Sequence, residues 1–155
     1  MRACRALWGE QPVTFQSPNV VVDSAWALPR PIQARVPLLF GVAMTPRHAR
    51  RIAELGDGWF PVRASPDVVR EGVDRLTEAL AAVGRDIASQ HIRVSIPHVL
   101  DSSGQIDVER SLAAVPQMKA AGGTIFQVAS PPEPKSMDEI FRFVEQVGEA
   151  AKAYA

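Results

Sequence analysis

The segment PLLFGVAMTPRHARRIAELGDGWFPV, Pro37 to Val62, constrains the fold of this chain more than any other stretch. Its opening run Pro37-Leu38-Leu39-Phe40-Gly41-Val42 is apolar without alternation and too short for a core helix, so it reads as a strand buried on both faces. Thr45-Pro46 then supplies a hydroxyl N-cap and a proline at the first helical position, where its missing N–H costs nothing. Ala49, Ile52 and Ala53 give the helix one apolar face, and Arg47, Arg50, Arg51 and Glu54 fill the other. Gly56 is expected to stop it as a C-terminal cap able to take positive φ. Asp57-Gly58 turns, and Trp59-Phe60-Pro61-Val62 opens a second apolar strand. Strand, helix and strand at this spacing make a βαβ unit, which implies a parallel sheet with a right-handed crossover.

The pattern repeats downstream. Ser65-Pro66-Asp67 is a second N-cap, proline and acidic first turn, followed by the stripe Val69, Val73, Leu76, Leu80, Val83 up to Gly84. Ile92 to Val99 reads as the third strand, with Pro97 and His98 at its C-terminal end. Asp101 to Gly104 is a loop and Asp107 caps a third helix with Leu112, Val115 and Met118 on its face; Pro116 should kink or split it. Gly122-Gly123 closes it, and Thr124 to Ala129 is the fourth strand. Ser136 with Glu139 forms a capping box before a last helix, whose expected buried stripe is Ile140, Phe141, Val144, Val147 and Ala151. Before Pro37 no compact domain is visible: Val13-Thr14-Phe15 and Val20-Val21-Val22 suit a short hairpin, and Pro29, Pro31 and Pro37 an extended connector. The expected organisation is therefore an irregular wrapping segment, residues 1–36, and βα units over 37–155, together one domain.

Lysine plus arginine equals aspartate plus glutamate, 17 each, so no strong field exists to gather nucleic acid or anionic lipid. Cys4 is the single cysteine and cannot form an internal disulfide, which fits a reduced, cytoplasmic setting. No apolar run approaches a membrane span, and MRACRALWGEQP lacks the apolar centre of a signal peptide. No His, Cys or carboxylate residues show metal-ligand spacing, and neither G-x-S-x-G nor a P-loop occurs.

In a parallel α/β protein, ligands gather at the C-terminal ends of the strands, where helix N-termini present free N–H groups to phosphate. That singles out Gly41, Val42, Ala43, Met44 and Thr45, with Arg47 adding charge. The plainer account is that Thr45-Pro46 caps a helix and Gly41 packs. His98 ends the third strand on the same side and is a candidate general acid or substrate contact, or a strand-end residue facing solvent. Arg63 and Ser130 follow the second and fourth strands on that rim. Asp57 joins a helix to a strand at the opposite end, where it serves as cap and turn; Trp8, Trp26 and Trp59 suit core and wrapping roles. Four βα units fit either a small open parallel sheet or half of an eight-fold barrel, and periodicity does not separate them.

The order of landmarks does. Arg5-Ala6-Leu7-Trp8, Phe15, Pro29-Arg30-Pro31-Ile32-Gln33, the strand Leu38 to Ala43, Ala49-Arg50-Arg51-Ile52-Ala53 and Gly56-Asp57-Gly58-Trp59 follow one another. This order resembles the C-terminal half of the bacterial luciferase-like family, flavin- or deazaflavin-dependent oxidoreductases on a TIM barrel. Ser65-Pro66 and Gly84-Arg85-Asp86 continue the likeness, which covers essentially the whole chain. It implies an α/β fold of about four βα units forming half of a TIM-type barrel, with the family's first four units outside these residues. It also implies FMN or a deazaflavin (coenzyme F-420) as cofactor, with its phosphate at Gly41–Thr45 and Arg47, and a small-molecule substrate near His98. Val42 stands where many relatives carry a second glycine. A half-barrel has open edges and an uncovered inner face, so either a second copy or a complementary N-terminal half is the expected partner, and not nucleic acid or membrane. The competing readings are a non-catalytic, self-associating half-barrel and a small doubly wound binding domain with helices on both sheet faces.

Overall fold

The computed structural model describes residues 1–131, 134 and 136–154, which fall into two compact units, Met1–Leu38 and Leu39–Ala155. In the first unit, helix α1 (Arg2–Leu7) precedes strands β1 (Val13–Ser17) and β2 (Val20–Ala25), which pair antiparallel across Pro18-Asn19. The Gln11 amide joins the helix end to the segment after the hairpin: it donates to Leu7 O and Ala27 O and accepts from Ala27 N–H. Arg5 donates to the carbonyl of Val36 at 2.8 Å. Val13 is the buried apolar residue here; Trp26, expected to be covered, is 65% exposed.

The second unit carries β3 (Leu39–Gly41), α2 (Pro46–Leu55), β4 (Gly58–Phe60), α3 (Pro66–Ala81) and β5 (His91–Ser95). There follow a hairpin of two short strands, β6 (Val99–Leu100) and β7 (Ile106–Asp107), then α4 (Val108–Leu112), α5 (Val115–Ala120), β8 (Ile125–Gln127) and α6 (Met137–Ala151). Strands β3, β4, β5 and β8 form one parallel sheet in that order, a mixed α/β arrangement. The register pairs Phe40 with Trp59 and Trp59 with Ile92, and Val94 with Phe126, which puts these side chains on one face. Helices pack there. Gly56 sits between Ile52 of α2 and Phe40, and Gly72 of α3 lies against the Trp59 ring. Phe40, Trp59, Ile92 and Val94 are buried with Ile52, Val69, Leu76 and Leu80. On the other face the register sets Gly41 beside Phe60 and Ser95 beside Gln127, with Arg93 two residues before Ser95; these are half-buried or exposed.

The caps explain the helix limits. Thr45, Ser65, Asp107 and Ser136 each accept a backbone N–H of the first turn, and proline stands at the start of α2 and α3. Arg85 closes the other end of α2, donating to Ala53 O at 2.6 Å and Gly56 O at 3.0 Å, carbonyls that the helix leaves over. Pro116 does divide the third helical segment, into α4 and α5.

Several expectations are corrected. Gly56 has φ −93°, so it is glycine for space and not for conformation: a Cβ would lie 3.0 Å from Ile52 and 3.1 Å from Phe40. The third strand ends at Ser95, because Val99 pairs instead with Asp107 in the hairpin; the buried Ser111 hydroxyl holds this turn, accepting from Val99 N–H and donating to Asp107 O. The Asp101 carboxylate organises the hairpin loop. The hydroxyl of Ser103 and the amides of Gln105 and Ser103 donate to it and hold its pKa below the ordinary carboxylate value. Val83 lies beyond α3 and is exposed. On α6 the buried residue is Phe143, whereas Phe141 and Val144 are 58% and 60% exposed.

Candidate functional site

The turn between β3 and α2 is held by its carbonyls. Val42 O accepts from the indole Nε1–H of Trp59 at 2.7 Å. Ala43 O accepts from Thr45 N–H and from the His48 ring, both at 2.9 Å. Because a carbonyl can only accept, His48 carries its proton on Nδ1. Met44, itself buried, offers its carbonyl to the Arg75 guanidinium of α3. Three consecutive carbonyls are thus turned onto protein donors.

Peptide planarity gives this a consequence. In a trans peptide the N–H points opposite to the C=O of the preceding residue. With the carbonyls of Val42 and Ala43 engaged, the amides of Ala43 and Met44 point away from those partners, and neither makes a hydrogen bond among the described residues. At the start of α2, Pro46 has no N–H, His48 N–H goes to Thr45 Oγ1 at 3.2 Å and Ala49 N–H to Thr45 O. The Arg47 amide is left uncommitted among the described residues, and its side chain is exposed. Thr45 accepts through its oxygen and keeps its O–H free to donate. Unclaimed amides at a helix N-terminus, with a hydroxyl and a guanidinium beside them, suit a phosphate. Gly41 leaves space there: a Cβ would meet only the Phe60 ring, at an ordinary 3.7 Å.

The other sequence candidates are spread along the same end of the sheet. His98, after β5, donates through Nε2 to Ala129 O at 3.0 Å, so it links the ends of β5 and β8, and its Nδ1 has no partner among the described residues. Arg63 and Ser130 are exposed after β4 and β8. Asp57 is buried before β4, at the opposite end, where its carbonyl accepts from His91 N–H. Among the described residues no group of three His, Cys, Asp or Glu could hold a metal ion, and no helix is long and apolar enough to cross a membrane. An open groove between α4 and α6, lined by Asp107, Glu109, Arg142, Glu145 and Glu149, lies between helices and not at the strand ends.

Trp59, His48 and Arg75 escape sequence reasoning as determinants of this turn, because each acts on a backbone carbonyl and no motif encodes that. On the open face of the sheet, the Arg93 guanidinium lies 5.2 Å from the centre of the Phe60 ring, a cation–π contact across neighbouring strands. Neither residue is marked by spacing.

Solved structures of the same fold confirm the class. The chain is similar to an F420-dependent secondary alcohol dehydrogenase in complex with an F420–acetone adduct, with TM-score 0.56 and 20% identity over 96% of this chain and 51% of that one. It is also similar to the coenzyme F420 dependent tetrahydromethanopterin reductase of Methanopyrus kandleri, with TM-score 0.68 and 12% identity over 94% and 60%. The monooxygenase RslO1 of Streptomyces bottropensis gives 0.54 and 20% over 97% and 43%. Uncharacterized proteins of Mycobacterium tuberculosis and Mycobacterium bovis are 33% identical over 101 residues, 65% of this chain; the match spans 36% of their length. The family described as luciferase-like monooxygenase matches residues 1–151. With the parallel sheet, the helix-capped turn and this match in agreement, the chain belongs to the luciferase-like monooxygenase family.

Proposed function

We propose that this chain is part of a flavin- or deazaflavin-dependent oxidoreductase, with the cofactor phosphate held at Gly41–Thr45 and Arg47. The observation that carries this reading is the pair of uncommitted amides at Ala43 and Met44, backed by Arg47 N–H and the Thr45 hydroxyl. A bound ring of this type takes up or gives a hydride. The protein's part is then to bind and orient: Trp59, His48 and Arg75 keep the turn's carbonyls away from the anion, and in this reading His98 is the residue proposed to meet the substrate, its Nε2 engaged by Ala129 O. The F420-dependent structures named above support the deazaflavin, and the luciferase-like family match keeps FMN beside it; the reading embraces both. The sheet is proposed as half of a TIM-type barrel, closed by βα units beyond these residues or from a second copy.

Fluorescence titration with FMN, and separately with the deazaflavin, tests the loop. Thr45→Ala and Arg47→Ala are each expected to weaken binding by about tenfold, the loss of one hydrogen bond to a charged group. Thr45→Ala also removes a helix cap, about 1 kcal/mol of stability, so Thr45→Ser should restore both. Equal affinity across the wild type and these variants would remove the loop from the site.

A second reading, a self-associating half-barrel without catalysis, draws on α6. Met137, Phe141 and Val144 are 60%, 58% and 60% exposed and share one helix face at spacings of four and three. A second copy of this chain covering that stripe would sediment as a dimer or larger, and Phe141→Glu should shift it to monomer. A wild-type monomer in sedimentation contradicts self-association, and flavin binding by the Phe141→Glu variant would favour the enzyme over the scaffold.

A further inference from the structure

We propose that the open face of the sheet holds a subsite for an anion carrying a neighbouring hydroxyl, read by Arg93 and Gln127 over the Phe60 ring. Arg93 stands on β5, half-buried against Phe60, and its guanidinium makes no hydrogen bond or ion pair among the described residues. A guanidinium has five donors in a plane suited to carboxylate or phosphate, and this one has aromatic support in place. Gln127, on β8, sits on the same face, since its register partner is Ser95, two residues beyond Arg93. Its Oε1 is buried and accepts no hydrogen bond among the described residues, an arrangement that costs free energy until a donor arrives. The terminal torsion of glutamine is soft, so the amide can turn to meet one.

The two deficits are of opposite kind. Arg93 lacks an acceptor and Gln127 lacks a donor. A bare carboxylate or phosphate would satisfy the first and not the second; an alcohol would do the reverse. A hydroxy acid, or a phosphate on a hydroxylated chain, satisfies both at once. Gly41 bears no side chain beside Phe60, which leaves the ring's flank open to an apolar part of the same ligand. The ligand's identity as substrate or as hydroxylated cofactor tail rests on the oxidoreductase reading; its chemistry does not.

NMR of the full chain tests this without turnover, following the Arg93 side-chain Nε–Hε resonance, identified by its loss in Arg93→Lys. Mandelate offers ring, hydroxyl and carboxylate; phenylacetate lacks the hydroxyl and benzyl alcohol the acid. Mandelate is expected to shift the resonance saturably and to bind about tenfold tighter than phenylacetate, with benzyl alcohol weaker still. Gln127→Leu should erase the preference for mandelate over phenylacetate; in Arg93→Gln, followed by the Gln127 side-chain amide resonances instead, the preference for either acid over the alcohol should disappear. FMN and riboflavin separate the two sources. A response to FMN and not riboflavin, competed by mandelate, assigns the anion to the cofactor phosphate and withdraws the Gly41–Thr45 turn as its holder. A mandelate response that FMN leaves unchanged assigns it to a substrate. No saturable shift with mandelate or FMN, or a mandelate preference that survives Gln127→Leu, overturns the subsite. Loss of FMN binding in Thr45→Ala with the mandelate response intact touches only the phosphate loop.

Discussion

Gly58→Ala will strain the closure of β4 against β5 and lower the urea midpoint of unfolding well below that of the wild type. A Cβ at Gly58 would lie 2.2 Å from the backbone oxygen of His91, its register partner. A side chain could move aside; a strand carbonyl in the centre of the sheet cannot do so without losing its pairing. Overpacking a core typically costs about 1–3 kcal/mol, and an obstruction by backbone belongs at or above the top of that range. Against a total stability of about 5–15 kcal/mol, that is a large share. Gly84→Ala is the control. Gly84 has φ +69° but open space around it, so its alanine variant suffers only the left-handed strain, about 1–2 kcal/mol. Urea denaturation followed by far-UV circular dichroism compares the two. A Gly58→Ala midpoint equal to that of Gly84→Ala would contradict the backbone-contact explanation.

This glycine shows where sequence reasoning stops. Asp57-Gly58 was legible as a turn before a strand, and the βαβ order, the caps at Thr45, Ser65 and Ser136 and the division at Pro116 all follow from local chemistry that a sequence displays. What Gly58 and Gly56 do depends on neighbours brought close by the sheet, His91 and Phe40, and no local rule announces them. The same holds for α6. Ile140, Phe141, Val144, Val147 and Ala151 share apolar character, yet the helix buries Phe143, because its position against α4 and not its mean hydropathy decides which face turns inward. The hairpin β6–β7 was hidden because Val99 extends the apolar run of β5; only the pairing of Val99 with Asp107 breaks that run. At the site, the sequence marked the turn from Gly41 to Arg47 but not what orients it. Trp59 looked like a core residue, and at 1% exposure it is one. Its second role lies in a single hydrogen bond to Val42 O.

Separating those two roles gives the other large effect. Trp59→Ala is expected to cost about 3–5 kcal/mol, the usual result of removing a buried aromatic, and to leave a chain too unstable for binding measurements. Trp59→Phe keeps an aromatic ring in the core but discards the indole donor and the far ring edge that lies against Gly72; the Val42 carbonyl left without its partner should cost about 1–3 kcal/mol, with the lost contact at Gly72 added to it. That carbonyl then loses the donor that turns it inward, and the Ala43 amide, antiparallel to it in the same peptide, loses its orientation toward an anion. Trp59→Phe should therefore bind FMN or the deazaflavin about tenfold more weakly while remaining folded, if one hydrogen bond to phosphate depends on that orientation. Gly72→Ala approaches the same point from outside the site: its Cβ would fall 2.1 Å from Trp59 Cη2 and must push the ring, and with it the indole N–H, off its line to Val42. Both variants should lose affinity together, measured by fluorescence titration under conditions where circular dichroism shows each to be folded. If they lose stability and keep affinity, Trp59 is core alone, and the amides of Ala43 and Met44 do not hold the phosphate.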